Sequence, residues 1–548
     1  MISKKIPDKH NKYESQYKPC SLYWGLGIEN EFYLQFQNVL VDKNKFLNNH
    51  KRERYSVDYF QNYRRVILDK IKLPGSLPLL MNSHSFTKTD QFNNPQTLYN
   101  SENSPNPAFT GKTLWEVIKE HSPYFQEAFN THFTFDGDSF EIITTNFYNV
   151  KLEDTIRELK YNKNLFIEQI QNTFQKLNIF PELNPPQIMT KNHPFSIMLT
   201  NIDNIAMFNN GTIHFNITLP TFLDENAKIR YWDKFLYDHK NYIKVIQYME
   251  PLFLAVYGEP DPLSEYDKSY SQCSQRCAVS RYIGIGTFDT DLMEKGKRLT
   301  DDLTHFKVAS KPYGWYRRYY ENCSYAKLDK IGYDINFNKH FNHGIEVRFF
   351  EHMNDENKIK EALQILIYLG DFSLENVVLG NPIKLSEWND LVLDCMTNGK
   401  NTKVRTNIYN NLFKTKFISE NITDLYFEIC SHLKKNYEKG KFSQLCRKEE
   451  KDEILIEIIE VKDEIDQKIS QFKELYEKAN IQSIEIKNQI DIARKILADP
   501  SSIISNTIRN MLITKIQDVD PQYLQALLNP NSDPKLIVNH AKKCCSIL

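Results

Sequence analysis

The chain has 548 residues, which is enough for one large domain and a second, smaller one. Its 69 lysines and arginines balance its 70 aspartates and glutamates, so no bulk charge favours nucleic acid as a partner. The nine cysteines lack zinc-ligand spacing and indicate free thiols in a reducing compartment. There is no apolar run of membrane-spanning length and no signal-peptide core, so we expect a cytoplasmic protein without a transmembrane segment.

The first predicted strand, residues 24–34, contains two glutamates among apolar and aromatic residues. Glu29 and Glu31 are two positions apart, and side chains at this spacing point to the same face of a strand. Like charges held together in apolar surroundings repel each other and lose solvation. A divalent metal between the two carboxylates is the simplest compensation. The alternative is an edge strand whose glutamate face is exposed to water.

The elements that follow are predicted from hydrophobic spacing and turn residues. In chain order we predict a disordered lead-in over 1–19, helix-like spacing over 46–73, a long loop over 83–109, a short helix over 113–122, two strands joined by a turn over 132–144, and a helix over 151–177. A loop of that length is expected either to cover a site or to be disordered. The strand–turn–strand segment adds three carboxylates, Asp136, Asp138 and Glu141.

Two later strands also show polar pairs at alternate positions. A turn feeding a strand over 209–220 places His214, Asn216 and Thr218 on one face, and a strand over 343–350 places Glu346 and Arg348 on one face. The alternatives are a core histidine at 214 and an ordinary salt bridge at 348.

Helices are predicted over 225–257, 358–379 and 386–396 and in the apolar segments up to residue 433. Between them, Arg281 lies beside a glycine-containing turn, and Arg317 and Arg318 lie among tyrosines. These arginines are candidates for binding a carboxylate or a phosphate, although the pair at 317 and 318 could equally stack on the tyrosines.

The C-terminal part has a different character. Residues 447–498 are highly charged with heptad-like apolar spacing, which predicts a helical hairpin or short coiled coil for self-association, or a helix packed on the main domain. The last residues match a prenylation signal, in which Cys545 and Cys544 would take lipids and attach the chain peripherally to a membrane; a chance match is the alternative. We therefore predict a main domain over 20–435 and a helical extension over 436–548.

The three polar pairs lie in strands that otherwise have buried-type sequences. Buried charges must be paired or must coordinate a metal. Several carboxylates with one imidazole suit one or two Mg²⁺ or Mn²⁺ ions, and a guanidinium matches the oxygens of a phosphate. Active sites that catalyse phosphoryl transfer typically combine a metal ion, an arginine and carboxylates.

Four motifs, in this order along the chain, resemble those of the glutamine synthetase-like carboxylate–amine ligases, which include glutamate–cysteine ligases and amidoligases. They are the Gly-Ile-Glu-Asn-Glu strand at 27–31, the Glu-Ile-Ile-Thr strand at 141–144, the segment at 209–219 that contains Asn-Gly-Thr-Ile-His-Phe-Asn, and the Ile-Glu-Val-Arg-Phe strand at 345–349. The resemblance covers roughly residues 20–380. It implies an α+β fold, with a curved antiparallel sheet flanked by helices.

The resemblance also implies roles for individual residues. Glu29, His214 and Glu346 would hold a metal near the ATP phosphates. Glu31 and Glu141 would hold a second metal, with Asp136 or Asp138 as the third ligand. Arg348 would contact the transferred phosphoryl group, and Arg281, Arg317 or Arg318 the substrate carboxylate or the phosphate. Nucleotide contacts would come from Asn209, Gly211, Asn216, Thr218 and Arg348, where Asn216 replaces a second histidine of the family.

The implied function is an ATP- and Mg²⁺-dependent ligase that joins a small-molecule or peptide carboxylate to an amine through an acyl phosphate. Two alternatives stay open. One is a phosphotransferase on the same fold that stops after phosphorylating its substrate. The other is a binding or scaffold protein with a vestigial site.

Overall fold

A computed structural model describes residues 16–42, 76–87, 111–193, 196–197, 211–260, 264, 271–274, 287–294, 334–339, 343–378 and 380–447. The strands are β1 (Leu22–Phe32), β2 (Leu34–Asp42), β3 (Ser76–Met81), β4 (Phe133–Asp136), β5 (Ser139–Ile143), β6 (Pro186–Ile188), β7 (Ile213–Phe222), β8 (Ile335–Phe337) and β9 (Ile345–Phe350). The helices are α1 (Ser83–Thr87), α2 (Leu114–His121), α3 (Pro123–Glu127), α4 (Leu152–Leu177), α5 (Trp232–Tyr257), α6 (Glu356–Glu375), α7 (Ser386–Asn398), α8 (Asn407–Phe413), α9 (Ile422–Tyr437) and α10 (Lys441–Leu445). Within these ranges, no helix has both the length and the apolar character needed to span a membrane.

A six-stranded sheet in the order β4-β5-β1-β7-β9-β8 forms the centre of the fold. The pairs β4–β5, β5–β1, β7–β9 and β9–β8 are antiparallel. The register places Glu31 opposite Glu141 and Asn216 opposite Glu346. A second, three-stranded antiparallel sheet has the order β3-β2-β6. The predicted α+β class is therefore confirmed.

One face of the large sheet is apolar and is covered by helices. Phe166 of α4 packs against Phe32 of β1 and Phe140 of β5, with ring centroids 5.7 and 5.9 Å apart. Phe253 of α5 packs against Phe349 of β9, at 5.8 Å. Because side chains alternate along a strand, burying these residues leaves the intervening polar residues of β1, β7 and β9 on the other face.

Several predicted elements agree with the structure. The helices α2, α4, α6 and α7 and the strands β1, β4, β5, β7 and β9 all lie within a few residues of their predicted bounds. The predicted features at 1–15, 46–73 and 448–548 lie outside the described residues.

Three predictions differ from the structure. Helix α5 begins at Trp232, not at residue 225, because the Asp224 carboxylate accepts the backbone N–H groups of Asn226 and Lys228 and holds a turn there. The start of the predicted loop over 83–109 is helix α1, where the Asn82 side chain accepts the N–H of Ser85. The boundary placed after residue 435 falls inside α9.

The described residues divide into two compact units. One contains 16–17, 23–220 and 239–447, with the gaps given above, and the other contains 18–22 and 221–238. Helix α10 belongs to the first unit, so this unit extends past the predicted boundary at least to Arg447.

Helix α10 is held by a buried carboxylate. Asp371 of α6 accepts hydrogen bonds from Phe442 N at 2.7 Å and from Ser443 N at 2.9 Å, and also from the Ser443 hydroxyl. Burial raises the pKa of Asp371 to about 6, and the hydrogen bonds from Ser443 and Phe442 offset only part of that effect. This side chain therefore couples the stability of the fold to pH.

Because the pKa of Asp371 is higher in the folded than in the unfolded chain, its contribution is fully favourable below about pH 4 and is lost as the pH rises through about 6. The variant Asp371→Asn has no titrating group at this position and serves as the reference. We expect the wild type to lose roughly 2–3 kcal/mol of unfolding free energy relative to this variant between about pH 4 and about pH 7. Urea unfolding at several pH values measures it. A difference that rises with pH would contradict this assignment.

Gly27 in β1 lies against an aromatic ring. A Cβ atom at this position would be 2.6 Å from Phe147 Cδ2 and 3.4 Å from Asn216 Cβ, which is too close for the ring to stay in place. We expect Gly27→Ala to lower the free energy of unfolding by about 1–3 kcal/mol. Gly27→Ala should lower the free energy of unfolding by less when Phe147 has been replaced with leucine than when Phe147 is present. Equal effects of Gly27→Ala in the two backgrounds would show that the contact is unimportant.

Candidate metal centre

The polar face of the sheet brings together residues from four strands. Glu29 and Glu31 of β1, His214 of β7, Glu346 of β9 and Glu141 of β5 are each at most 2% exposed. Strand alternation accounts for their shared face. Glu29 and Glu31 are two positions apart on β1, and Glu31 lies directly opposite Glu141 of β5. These side chains form two groups.

The first, called the histidine group, consists of Glu29, His214 and Glu346. Their ligand-type atoms lie within 4.8 Å of one another. His214 Nδ1 is 3.4 Å from Glu29 Oε2 and 3.3 Å from Glu346 Oε1. The structure therefore places together the residues that the resemblance assigns to one metal.

The second, called the carboxylate group, consists of Glu31, Asp136 and Glu141, whose oxygens also lie within 4.8 Å of one another. Glu31 and Glu141 are directly opposite in the β1–β5 register, and Asp136 pairs with Ser139 at the turn between β4 and β5. Of the two predicted aspartates, Asp136 is the one that belongs to this group.

Asp138, the other predicted third ligand, lies elsewhere. Its Oδ1 accepts a hydrogen bond from the Tyr33 hydroxyl at 3.2 Å. Asp138 lies in the turn between β4 and β5, outside both strands, whereas Asp136 is in β4, two positions from Thr134, the residue that pairs with Glu141. Asp136 therefore shares the face of Glu141, and this follows from the register of the β4–β5 hairpin and not from the sequence spacing alone.

Thr212 joins the two groups. Its hydroxyl lies 2.7 Å from Glu31 Oε2 and 3.0 Å from His214 Nε2. The hydroxyl donates to the carboxylate and can accept from the imidazole. A single side chain therefore orients one member of each group.

Two basic side chains contact the histidine group. Lys339 Nζ is 2.8 Å from Glu346 Oε1 and 3.6 Å from Glu29 Oε2. Arg348 Nη1 donates to Glu346 Oε1 at 3.0 Å, and Asn336 donates to the other Glu346 oxygen. Neither Lys339 nor Asn336 was singled out in the sequence, where an isolated lysine after a three-residue strand gives no signal.

The charges in the histidine group stabilise one another. Burial favours the neutral form of Glu346, but Arg348 and Lys339 outweigh it and hold the pKa of Glu346 well below its usual value. Burial and Arg348 lower the pKa of His214, yet the hydrogen bonds to Glu29 and Glu346 raise it overall. The pKa values of Lys339 and Arg348 are also raised against the effect of burial, through the neighbouring carboxylates.

The two groups differ in how well they suit a metal ion. The carboxylate group offers oxygen ligands from three side chains at mutual distances suited to one Mg²⁺ or Mn²⁺ ion. The histidine group offers suitable atoms too, but the Lys339 ammonium already lies against two of its carboxylate oxygens. The carboxylate group therefore fits a divalent cation without displacing any cation among the described residues.

The remaining predicted site residues have these positions. Asn216 Oδ1 lies 3.0 Å from His343 Nε2, and the Thr218 hydroxyl accepts the N–H of Gly344. Gly211 has a φ of +74°, and a Cβ there would be 2.9 Å from the Glu31 carbonyl oxygen, so a close approach to β1 requires glycine. Asn209, Arg281, Arg317, Arg318, Cys544 and Cys545 lie outside the described residues.

Comparison with known proteins finds a relative that aligns with most of the chain. The uncharacterized protein R704 of Acanthamoeba polyphaga mimivirus is 37% identical over 441 residues, which cover 78% of this chain and 76% of the relative. No family model matches the chain, and no solved structure matches it. At this identity and coverage, the chain belongs to the same family as this mimivirus protein.

Proposed function

We propose that the protein is an ATP- and Mg²⁺-dependent carboxylate–amine ligase with a glutamine synthetase-like fold. The observation that carries the proposal is the pair of groups on one face of the sheet, whose members are all buried except Asp136, with Arg348 beside them. Arg348 interacts electrostatically with Glu346, Glu31, Asp136 and Glu29, so its positive charge acts on members of both groups. This arrangement provides oxygen ligands and a fixed guanidinium for a triphosphate.

In the proposed reaction, an oxygen of the substrate carboxylate attacks the γ-phosphorus of ATP, and ADP leaves with the bridging oxygen. The resulting acyl phosphate is attacked at its carbonyl carbon by an amine, which loses a proton, and inorganic phosphate leaves. Arg348 would stabilise the charge on the transferring phosphoryl oxygens. Glu31, Asp136 and Glu141 would hold Mg²⁺, which when bound supplies charge neutralisation for the nucleotide phosphates.

The protein itself would keep this centre in place. Burial of Glu31 and Glu141 in adjacent strands fixes their separation, and Thr212 orients Glu31 through a 2.7 Å hydrogen bond. A ligand set built on paired strands needs little rearrangement when the cation and nucleotide bind.

The test is a panel of carboxylates and amines incubated with ATP and Mg²⁺, followed by phosphate release and product mass. We expect phosphate release that requires both a carboxylate and an amine, and loss of turnover in Glu31→Gln. A phosphorylated product that accumulates without amine consumption would indicate a phosphotransferase instead. No turnover with any pair, together with no metal or nucleotide binding by calorimetry, would refute the enzyme proposal.

A second candidate, a non-catalytic binding protein on the same fold, is favoured by one observation. The Lys339 ammonium contacts Glu29 and Glu346, and such a contact neutralises these buried carboxylates without a metal. If biological function persists in Glu31→Gln after metal binding has been lost, this second candidate is correct.

A further inference from the structure

The side chain of Lys339 enters the polar face from the segment that follows β8. Its ammonium nitrogen lies between two buried carboxylates, 2.8 Å from Glu346 and 3.6 Å from Glu29. His214 Nδ1 lies 3.3 Å from the same Glu346 oxygen. The ammonium therefore takes the position, among the atoms of the histidine group, that a bound cation would need.

Glu346 has little capacity left for a metal. Its Oε1 contacts Lys339, Arg348 and His214, and its Oε2 accepts a hydrogen bond from Asn336. A carboxylate has about four lone-pair sites. A metal ion at Glu346 would have to displace at least one of these partners.

The charges of the histidine group are already balanced. Two carboxylates, Glu29 and Glu346, lie against two permanent cations, Lys339 and Arg348. A divalent ion added to this set would leave an uncompensated double positive charge in a buried position, which is unfavourable. Electrostatics therefore oppose a metal there as long as the Lys339 ammonium stays in place.

Two of the three members of the carboxylate group lack such a contact with the described part of the chain. Within the described ranges, neither Glu31 nor Asp136 forms a salt bridge. Glu31 is 2% exposed, and Thr212 provides its side-chain hydrogen bonds. A buried carboxylate with only neutral donors remains attractive to a cation.

We propose that Lys339 substitutes for one of the two divalent cations, so that the protein binds a single divalent ion, at the carboxylate group. This inference rests on the proposed function for the existence of a metal site, and it adds how many ions bind and which residue replaces the second. Lys339 is thus a positioning residue whose ammonium holds Glu29 and Glu346 in place beside Arg348.

The experiment is a titration of the full-length protein with Mn²⁺ alone, in which electron paramagnetic resonance measures the free ion. We expect one bound Mn²⁺ per chain in the wild type and in Glu29→Gln, and none in Glu31→Gln. Lys339→Met removes the ammonium while keeping an unbranched side chain, and should raise the number to two. Lys160→Met, at a lysine whose side chain is 59% exposed, is the matched control and should leave one.

Each other outcome is decisive. Two ions in the wild type, or a single ion lost in Glu29→Gln and kept in Glu31→Gln, would overturn the inference and leave the proposed function standing. No bound ion in the wild type would overturn both. A folded Lys339→Met that still binds one ion would show that the ammonium does not exclude the second. If Lys339→Met does not fold, the wild type and the two glutamine variants decide the question.

Discussion

Replacing Arg348 with methionine is expected to lower the turnover of the proposed ligase by about a thousandfold, because a fixed positive charge beside a transferring phosphoryl group contributes on this scale. The side chain lies 3.0 Å from Glu346 and is 18% exposed, so it can reach a ligand on the polar face without moving far. Arg348→Lys keeps the positive charge but loses the planar guanidinium, which can bind two phosphate oxygens at once. Its turnover should therefore lie between those of Arg348→Met and the wild type.

Steady-state kinetics with a productive pair of substrates measures this effect. Arg157→Met is the matched control, because Arg157 is 75% exposed and pairs with Asp154 on the same helix surface. Mn²⁺ binding should persist in Arg348→Met, which separates loss of rate from loss of the metal. Turnover of Arg348→Met within about threefold of the wild type would remove Arg348 from the chemistry.

Glu346→Gln is expected to lower the free energy of unfolding by about 3–5 kcal/mol, because it leaves the partly buried Lys339 and Arg348 with one carboxylate fewer. Glu346 is completely buried and contacts Lys339, Arg348 and His214. Urea unfolding monitored by circular dichroism measures the change.

An ion pair that is more exposed than the Glu346 contacts provides the control for this variant. Glu356 lies 3.3 Å from Lys160 at the protein surface, and Glu356→Gln should change the unfolding free energy by less than about 1 kcal/mol. Similar effects of the two substitutions would mean that Glu346 is not the centre of a buried charge network.

The arrangement of the site follows largely from strand alternation. The spacing of Glu29 and Glu31 predicts a shared face, and the structure places both on it, buried. The same rule brings His214 and Glu346 to that face, since the alternating apolar residues of β7 and β9 must lie in the core. A period of two is a strong local signal, and it required no knowledge of the rest of the chain.

The contribution of Lys339 could not be predicted in this way. Strand β8 has only three residues, and Lys339 follows it in a segment without regular alternation. A lysine in such a segment is expected to extend into water. The pairing of β8 with β9 places Asn336 opposite Glu346 and brings the Lys339 ammonium to the same carboxylate, but three residues are too few to reveal this strand by its period of two.

Two of the elements that were misassigned from the sequence, the start of α5 and helix α1, have the same cause. Asp224 and Asn82 hydrogen-bond to nearby backbone N–H groups, which moves the start of α5 and creates α1 within a predicted loop. Apolar spacing does not reveal such local competition between side chain and backbone. The small sheet β3-β2-β6 was missed because its strands pair across long sequence separations.

The most direct test of the proposed ligase is to trap its acyl phosphate with hydroxylamine, which replaces the unknown amine. The protein is incubated with ATP, Mg²⁺, hydroxylamine and each of a panel of carboxylates, and the hydroxamate and ADP are quantified. We predict hydroxamate and ADP in equal amounts with at least one carboxylate, and neither product in Glu31→Gln. No hydroxamate with any carboxylate, or equal ADP formation by the wild type and Glu31→Gln, would contradict carboxylate activation at this site.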